Sequence, residues 1–340
     1  MMLSVAAYTS GIDVPSARFR VRQYVSQLAD HGVELTEFVS QCGKYPPPKI
    51  WRRPVWVLQR MREAMVQAWP SRRYDLVLFQ RELLSTFLTV EPLYGRPRVL
   101  DVDDAIWLHR RGSFALRLAR LCDAVVCGNK YLAAYFSEAG LKTYILPTGV
   151  DTQRFVPKAT GTTDRAIIGW SGSSGNLCFL EALDGALTVV LKRHPHARLR
   201  VICDQVPRFD HVPVEAIEYI PWAPCVEASA LQDLTVGLMP LADSEWARGK
   251  CAFKMLTYMA CGIPVVVSPV GMNEEVLAQA DVGLAARDDH EWVDAIDSLL
   301  SQRARAINMG MNGRRLVESQ YSISVLSPRL ALILREVAGL

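Results

Sequence analysis

The sequence predicts an α/β protein built from two doubly wound parallel sheets. Short β-branched runs alternate with helical patterns along nearly the whole chain, which implies parallel pairing through crossover helices. The alternation passes through one series, meets a small polar stretch at 158–164, and then starts again. The length of 340 residues, 50% of them hydrophobic, exceeds one small core and suits two domains.

The first series starts with a strand over Leu3–Tyr8, a loop at Gly11–Pro15 and a helix from Ser16 to about Ala29. Arg18, Arg20 and Arg22 crowd that helix's first turns, either toward an anionic ligand beyond the strand ends or simply in solvent. Strands are expected at Val33–Val39, Tyr74–Gln80, Val99–Val102, Asp123–Cys127 and Tyr144–Leu146. The fourth ends in Asp101, Asp103 and Asp104, where ligands of such sheets bind. These carboxylates can hold a metal on a diphosphate, accept hydroxyls at a reaction centre, or cap the next helix through Asp104. The metal reading is the weakest, because only His109 stands nearby as a further ligand.

The second series runs through Ala166–Trp170, Leu199–Cys203, Ala216–Ile220, Leu234–Met239, Ile263–Ser268 and Val282–Ala286. After its first strand come Gly172, Ser173, Ser174 and Gly175, then a helix over about Leu177–His194. Small residues before a helix let backbone amides approach a phosphate. The pattern is neither GxGxxG nor a Walker loop. A second anion-suited place is Arg248–Glu275, with a helix over Cys251–Ala260 burying Phe253, Leu256 and Met259. On that helix's other face Lys250, Lys254 and Thr257 follow i, i+4, i+7. The alternative is a solvated basic face. After the strand at Ile263–Ser268, Gly271 permits close approach, Asn273 is a cap candidate, and Glu274 and Glu275 either neutralise a helix end or accept from sugar hydroxyls.

The net charge of +3 does not call for nucleic acid. Eight cysteines without a CxxC pair read as reduced thiols of a cytosolic protein, and six histidines form no ligand set. No apolar run reaches about 18 residues. Residues 44–73 combine arginines, tryptophans and a helix from about Pro54 to Trp69. Its apolar stripe of Val55, Leu58, Met61, Met65 and Trp69 either packs on the first sheet or lies on an anionic membrane.

Two segments resemble a known family. Pro147, Gly149, Val150, Asp151, Phe155 and Pro157 resemble the PNGVDxxxFxP signature that joins the two domains of glycosyltransferase family 4, with Thr148 in place of Asn. Met259–Gly271, MACGIPVVVSPVG, resembles the family's MAxGxPVVxSxxGG segment, with Met272 in place of the last glycine. The resemblance implies a GT-B fold, that is, two Rossmann-like domains facing a cleft, of the group 1 type. Its expected limits are an N-terminal acceptor-side domain 1–157, a linker 158–164, a nucleotide-sugar-binding domain 165–321, and a C-terminal helix in 322–340 that packs back toward the first domain. It implies retaining, metal-independent transfer from a nucleotide-sugar donor to a glycan, lipid-linked or small-molecule acceptor, with no cofactor; the thiols and the 44–73 stretch put this in the cytoplasm or at the inner membrane face.

Residue pattern and resemblance together assign donor binding to Gly172, Ser173, Ser174, Arg248, Lys250, Lys254, Thr257, Glu274 and Glu275. Asp103, His109 and Glu245 take catalytic roles, and Arg18 and Arg20 the acceptor or phosphate side. The family's paired glutamates align with Gly249 and Thr257 here, so Thr257 would face the ribose with a hydroxyl. A sugar-nucleotide epimerase and a non-catalytic sugar-nucleotide-binding protein are the alternatives.

Overall fold

The computed structural model describes residues 1–340 apart from 45, 85–89, 109–112 and 159–164. Contacts divide the chain into two units, Met1–Gly149 with Gly249–Cys251 and Ile323–Leu340, and Val150–Arg248 with Ala252–Ser322. Most of the linker stretch, and His109, lie outside the described residues.

In the first unit β1 (Leu3–Thr9), β2 (Val33–Val39), β3 (Leu76–Gln80), β4 (Arg98–Val102), β5 (Ala124–Cys127) and β6 (Thr143–Ile145) form one parallel sheet in the order β2-β1-β3-β4-β5-β6. β3, β4 and β5 are buried at every residue, which is why their sequences are near-continuous apolar runs. The chain reverses its winding between β1 and β3. Leu326, Leu330 and Leu334 of the C-terminal helix (Ile323–Ala338) complete this core beside Tyr24 and Leu28.

The second unit repeats the plan with β7 (Ile167–Ser171), β8 (Arg198–Cys203), β9 (Ile217–Pro221), β10 (Val236–Met239), β11 (Val265–Val267) and β12 (Gly283–Ala285), in the order β12-β11-β10-β7-β8-β9. Its reversal falls between β7 and β10. A doubly wound sheet opens a crevice beyond its strand ends at such a point. All twelve expected strands are present within two residues of their expected ends.

The helices depart more. The helix expected from Ser16 is broken into Pro15–Arg20, a turn at Arg22–Tyr24, and Val25–Asp30. Val21 leaves helical geometry at φ −126°, ψ −66°, and the break lets Val21 and Tyr24 both reach the core. The helix expected over Leu177–His194 bends by 62° between Glu181 and Asp184. There Asp184 turns aside to accept from the amides of Asp210, His211 and Val212. The helix expected from Cys251 starts at Phe253, because Ala252 is left-handed at φ 50°.

The Arg53–Ser71 helix also differs from the packing alternative. It buries Arg60, Ala64, Ala68 and Ser71, while Val55, Leu58, Met65 and Trp69 of the apolar stripe face outward. Among the described residues no single helix is long and apolar enough to cross a membrane.

Candidate functional site

In the second unit, loops from three neighbouring strands gather at the β7–β10 reversal. Tyr258 fixes their geometry. Its ring covers Gly237 of β10, where an added Cβ would stand 2.5 Å from ring carbons. Its hydroxyl accepts from the Ser171 amide at the end of β7 at 2.7 Å. The Phe253–Ala260 helix is thereby tied to both strands, and one turn earlier on the same face stands Lys254. The Lys254 Nζ lies 4.2 Å from the centre of the Trp170 ring, a cation–π contact. A Cβ at Gly172 would come within 2.2 Å of that Nζ and 2.6 Å of the indole, so only glycine fits.

The Gly172 loop is held from the other side by β8. Ser174 donates to Asp204 through its amide at 2.6 Å and its hydroxyl at 2.8 Å. Burial acts to raise the Asp204 carboxyl, yet these bonds outweigh it and keep it below the ordinary carboxylate range. The Gly172 amide donates to Ile202 and the Asn176 amide to Ser173. The loop therefore offers fewer amides than small residues alone suggested. Ser173, with its amide and hydroxyl at the turn, remains the part nearest the expectation.

After β10 comes a short turn, Glu245–Arg248, with Glu245 exposed and Arg248 paired to Asp243 at 2.9 Å. After β11 the Leu241 amide donates to Ser268 Oγ at 2.9 Å, joining the two loops. Gly271, at φ +56°, lets the chain pass against Arg248, whose carbonyl would be 2.8 Å from a Cβ there. Gly271, not Asn273, takes the capping position of the next helix. Asn273 instead donates to the Ser268 carbonyl at 3.1 Å, and its buried Oδ1 has no hydrogen-bond partner among the described residues. Glu274 is exposed and Glu275 half-buried in that helix's first turn.

Lys250 lies outside the Phe253–Ala260 helix, so the i, i+4, i+7 face is not formed as the spacing implied. Lys250 precedes the left-handed Ala252 and groups with the first unit, where its carbonyl accepts from Asn129 at 3.0 Å. Thr257 is buried, and its hydroxyl donates to the Lys254 carbonyl at 2.7 Å.

The first unit carries a charged cluster at the ends of β3 and β4. Arg20 does not face a ligand there. Its Nε bridges both oxygens of Asp101 at 3.0 and 3.1 Å, its Nη2 meets Oδ1 at 2.5 Å, and its Nη1 donates to the Leu146 carbonyl at 2.7 Å. Burial would lower the guanidinium, but Asp101 holds it firmly protonated. Arg81, a residue the spacing rules passed over, takes Asp103 at 2.6 Å and also Asp104. Burial raises Asp103, but Arg81 outweighs it and keeps the group ionised. Lys44 faces the same cluster, and burial with Arg81 nearby depresses its ammonium. The signal for Arg81 was present: parallel pairing sets Gln80 beside Asp101, so the residue after Gln80 meets the next acidic positions. Arg18 lies over the Phe19 ring at 4.7 Å, and Arg22 pairs with Glu37 at 2.8 Å. With these carboxylates turned to arginines, no group of three or more His, Cys, Asp or Glu among the described residues suits a metal.

Residues 170–302 match the model for glycosyl transferases group 1. A search of curated proteins finds no match. Among solved structures, a sucrose-phosphate synthase from Thermosynechococcus elongatus superposes with TM-score 0.75 at 15% identity, covering 99% of each chain. Anabaena HepE, solved in complex with UDP and glucose, gives 0.71 at 13%, covering 98% of this chain and 100% of that one. WaaG, a glycosyltransferase of lipopolysaccharide biosynthesis, gives 0.68 at 15%, covering 97% and 99%. The chain has the GT-B fold from end to end, and its residues 170–302 are similar to the glycosyl transferases group 1.

Proposed function

We propose that this chain is a retaining, metal-independent glycosyltransferase that takes a nucleotide-sugar on its second unit and passes the sugar to a glycan, lipid-linked or small-molecule acceptor. The observation that carries the reading is the convergence of Gly172, Ser173 and Lys254 at the β7–β10 reversal, inside the segment that matches the group 1 model. The HepE structures with UDP and with UDP-glucose support a nucleotide-sugar as the donor class.

In this reading the Lys254 ammonium and the Ser173 amide meet the diphosphate. As the bond from the anomeric carbon to the phosphate oxygen breaks, charge grows on that oxygen and the ammonium offsets it; such preorganised stabilisation is the largest catalytic contribution in many enzymes. The departing oxygen takes the proton of the acceptor hydroxyl, whose oxygen bonds the same face of the sugar, which gives retention. Glu274 and Glu275 accept from sugar hydroxyls, and Glu245 orients a reacting hydroxyl. Arg248 adds positive charge beside the β11 loop.

Thermal-shift titration with UDP-, GDP-, ADP- and TDP-sugars tests the donor half, since a ligand that binds only the folded state raises its melting point by mass action. A clear rise with one nucleotide class is expected. No rise with any of the four would remove the donor reading. Turnover of the bound donor without acceptor would favour an epimerase, and binding without turnover on any acceptor a non-catalytic protein.

A further inference from the structure

The Arg53–Ser71 helix meets the first unit's sheet by a face of small residues. Tyr94 Oη donates to the Ala64 carbonyl at 2.8 Å and Tyr8 Oη to the Gln67 carbonyl at 3.3 Å. Phenols reach the helix backbone there because Ala64 and Ala68 keep the surface low. The large apolar side chains consequently point away. Ile50, Trp51, Val55, Leu58, Val66 and Trp69 are between 56% and 74% exposed. From Trp51 their spacing is i, i+4, i+7, i+15, i+18, with exposed Arg62 at i+11, which is one face of a 3.6-residue helix. Ile50, Pro54, Val57, Leu58 and Met61, with Arg53, line a depression of about 560 Å³ on it.

Charge on this segment has one sign outward. Lys49, Arg52, Arg53, Arg62, Arg72 and Arg73 are all exposed. The single carboxylate between them, Glu63, is turned inward to accept from Ser40 Oγ and the Gln41 amide, both at 2.8 Å, and to pair with Arg60. At each end an arginine stacks on a tryptophan, Arg52 on Trp51 at 4.8 Å and Arg72 on Trp69 at 5.4 Å. Contiguous exposed apolar surface of this extent marks an interaction site.

We propose that this face docks the chain onto an anionic lipid bilayer, with the helix in the plane of the headgroups, tryptophans at headgroup depth and arginines on lipid phosphates. At about 1.5 Å per residue the helix extends roughly 28 Å along such a surface. A second copy is a poorer occupant, because a two-fold contact through this face sets its uncompensated arginines against one another. The inference does not rest on the transferase reading, and its test needs no donor or acceptor.

The test is flotation of the full chain with vesicles of phosphatidylcholine alone and of phosphatidylcholine with phosphatidylglycerol, at low and high salt. Binding to the anionic vesicles at low salt, weak binding to neutral ones and release by salt are expected. Arg52→Ala with Arg72→Ala should lower partitioning about fivefold for each arginine removed. Trp51→Ser with Trp69→Ser should lower it on the same vesicles, with circular dichroism unchanged because both side chains are exposed. A wild-type chain that stays unfloated, or floats equally on neutral vesicles, would overturn the proposal, as would a tryptophan variant that binds like wild type. A dimer in solution that the tryptophan variant dissociates, with no flotation, would assign the face to self-association instead.

Discussion

Arg20→Met tests the placement of Arg20 as an internal tie. Arg20 and Asp101 are 3% and 4% exposed, and the guanidinium contacts both carboxylate oxygens at 2.5 to 3.1 Å. Removing it leaves a buried carboxylate without its cation, and the Leu146 carbonyl without a donor. Breaking one side of a buried pair costs about 3–5 kcal/mol. For a domain of this size, that lowers its melting temperature by roughly 6–20 °C. The second substitution is the sharper half. Arg20→Met with Asp101→Leu removes both charges and should regain most of the loss, because the penalty comes from the orphaned ion.

The pH dependence follows from Asp101. Burial already raises its carboxyl, with Arg20 the main influence pulling the other way; without Arg20 the upward push of burial and Asp103 is opposed only by the weaker pull of Arg81. A group raised in the folded state contributes stability that is fully present below its unfolded value of about 3.9 and is lost as pH rises through the folded value. The deficit of the single variant should therefore be smaller near pH 5 than near pH 8. Calorimetric melts across that range provide the measurement. A single variant losing under about 1 kcal/mol, or a double variant no better than the single, would refute the account, since about 3–5 kcal/mol is expected.

Lys254→Met keeps the stem over Trp170 but removes the charge, and should weaken nucleoside diphosphate binding by about 1.5–3 kcal/mol in calorimetric titration; the same variant of Lys250, which groups with the first unit, should change it far less. Gly172→Ala sets a methyl 2.2 Å from Lys254 Nζ and 2.6 Å from the buried indole. It should cost about 1–3 kcal/mol in urea melts and also displace the ammonium from the loop, so stability and binding fall together. EDTA should leave transfer unchanged, since Asp101, Asp103 and Asp104 face arginines; an absolute need for Mn²⁺ or Mg²⁺ would overturn that reading.

The strands were legible because buried parallel strands are short, near-continuous β-branched or apolar runs bounded by turn residues, as at Ile263–Ser268. Helix continuity was not, because its breaks depend on tertiary partners. The bend before Asp184 exists for amides some 26 residues away. The left-handed Ala252 moved Lys250 off the helix and left Lys254 as the ammonium at the Gly172 loop. Periodicity likewise found the stripe on Arg53–Ser71 but not its direction, which Ala64, Ala68 and the phenols of Tyr8 and Tyr94 decide. Small residues made the inner face, and the hydrophobic ones the outer. The tight turn at Gly172 was legible from its small residues, whereas the hold of Asp204 on Ser174 needed the register of β7 with β8.

Hydrogen exchange of the full chain with and without saturating UDP and UDP-sugar tests the central claim most directly. The account predicts slowed exchange in 170–176 and at 253–257 of the second unit, with Lys254→Met needing about 10- to 150-fold more nucleotide for the same effect. Slowing confined to the first unit, or no change at any nucleotide that shifts the melting point, would contradict a donor site at the β7–β10 reversal.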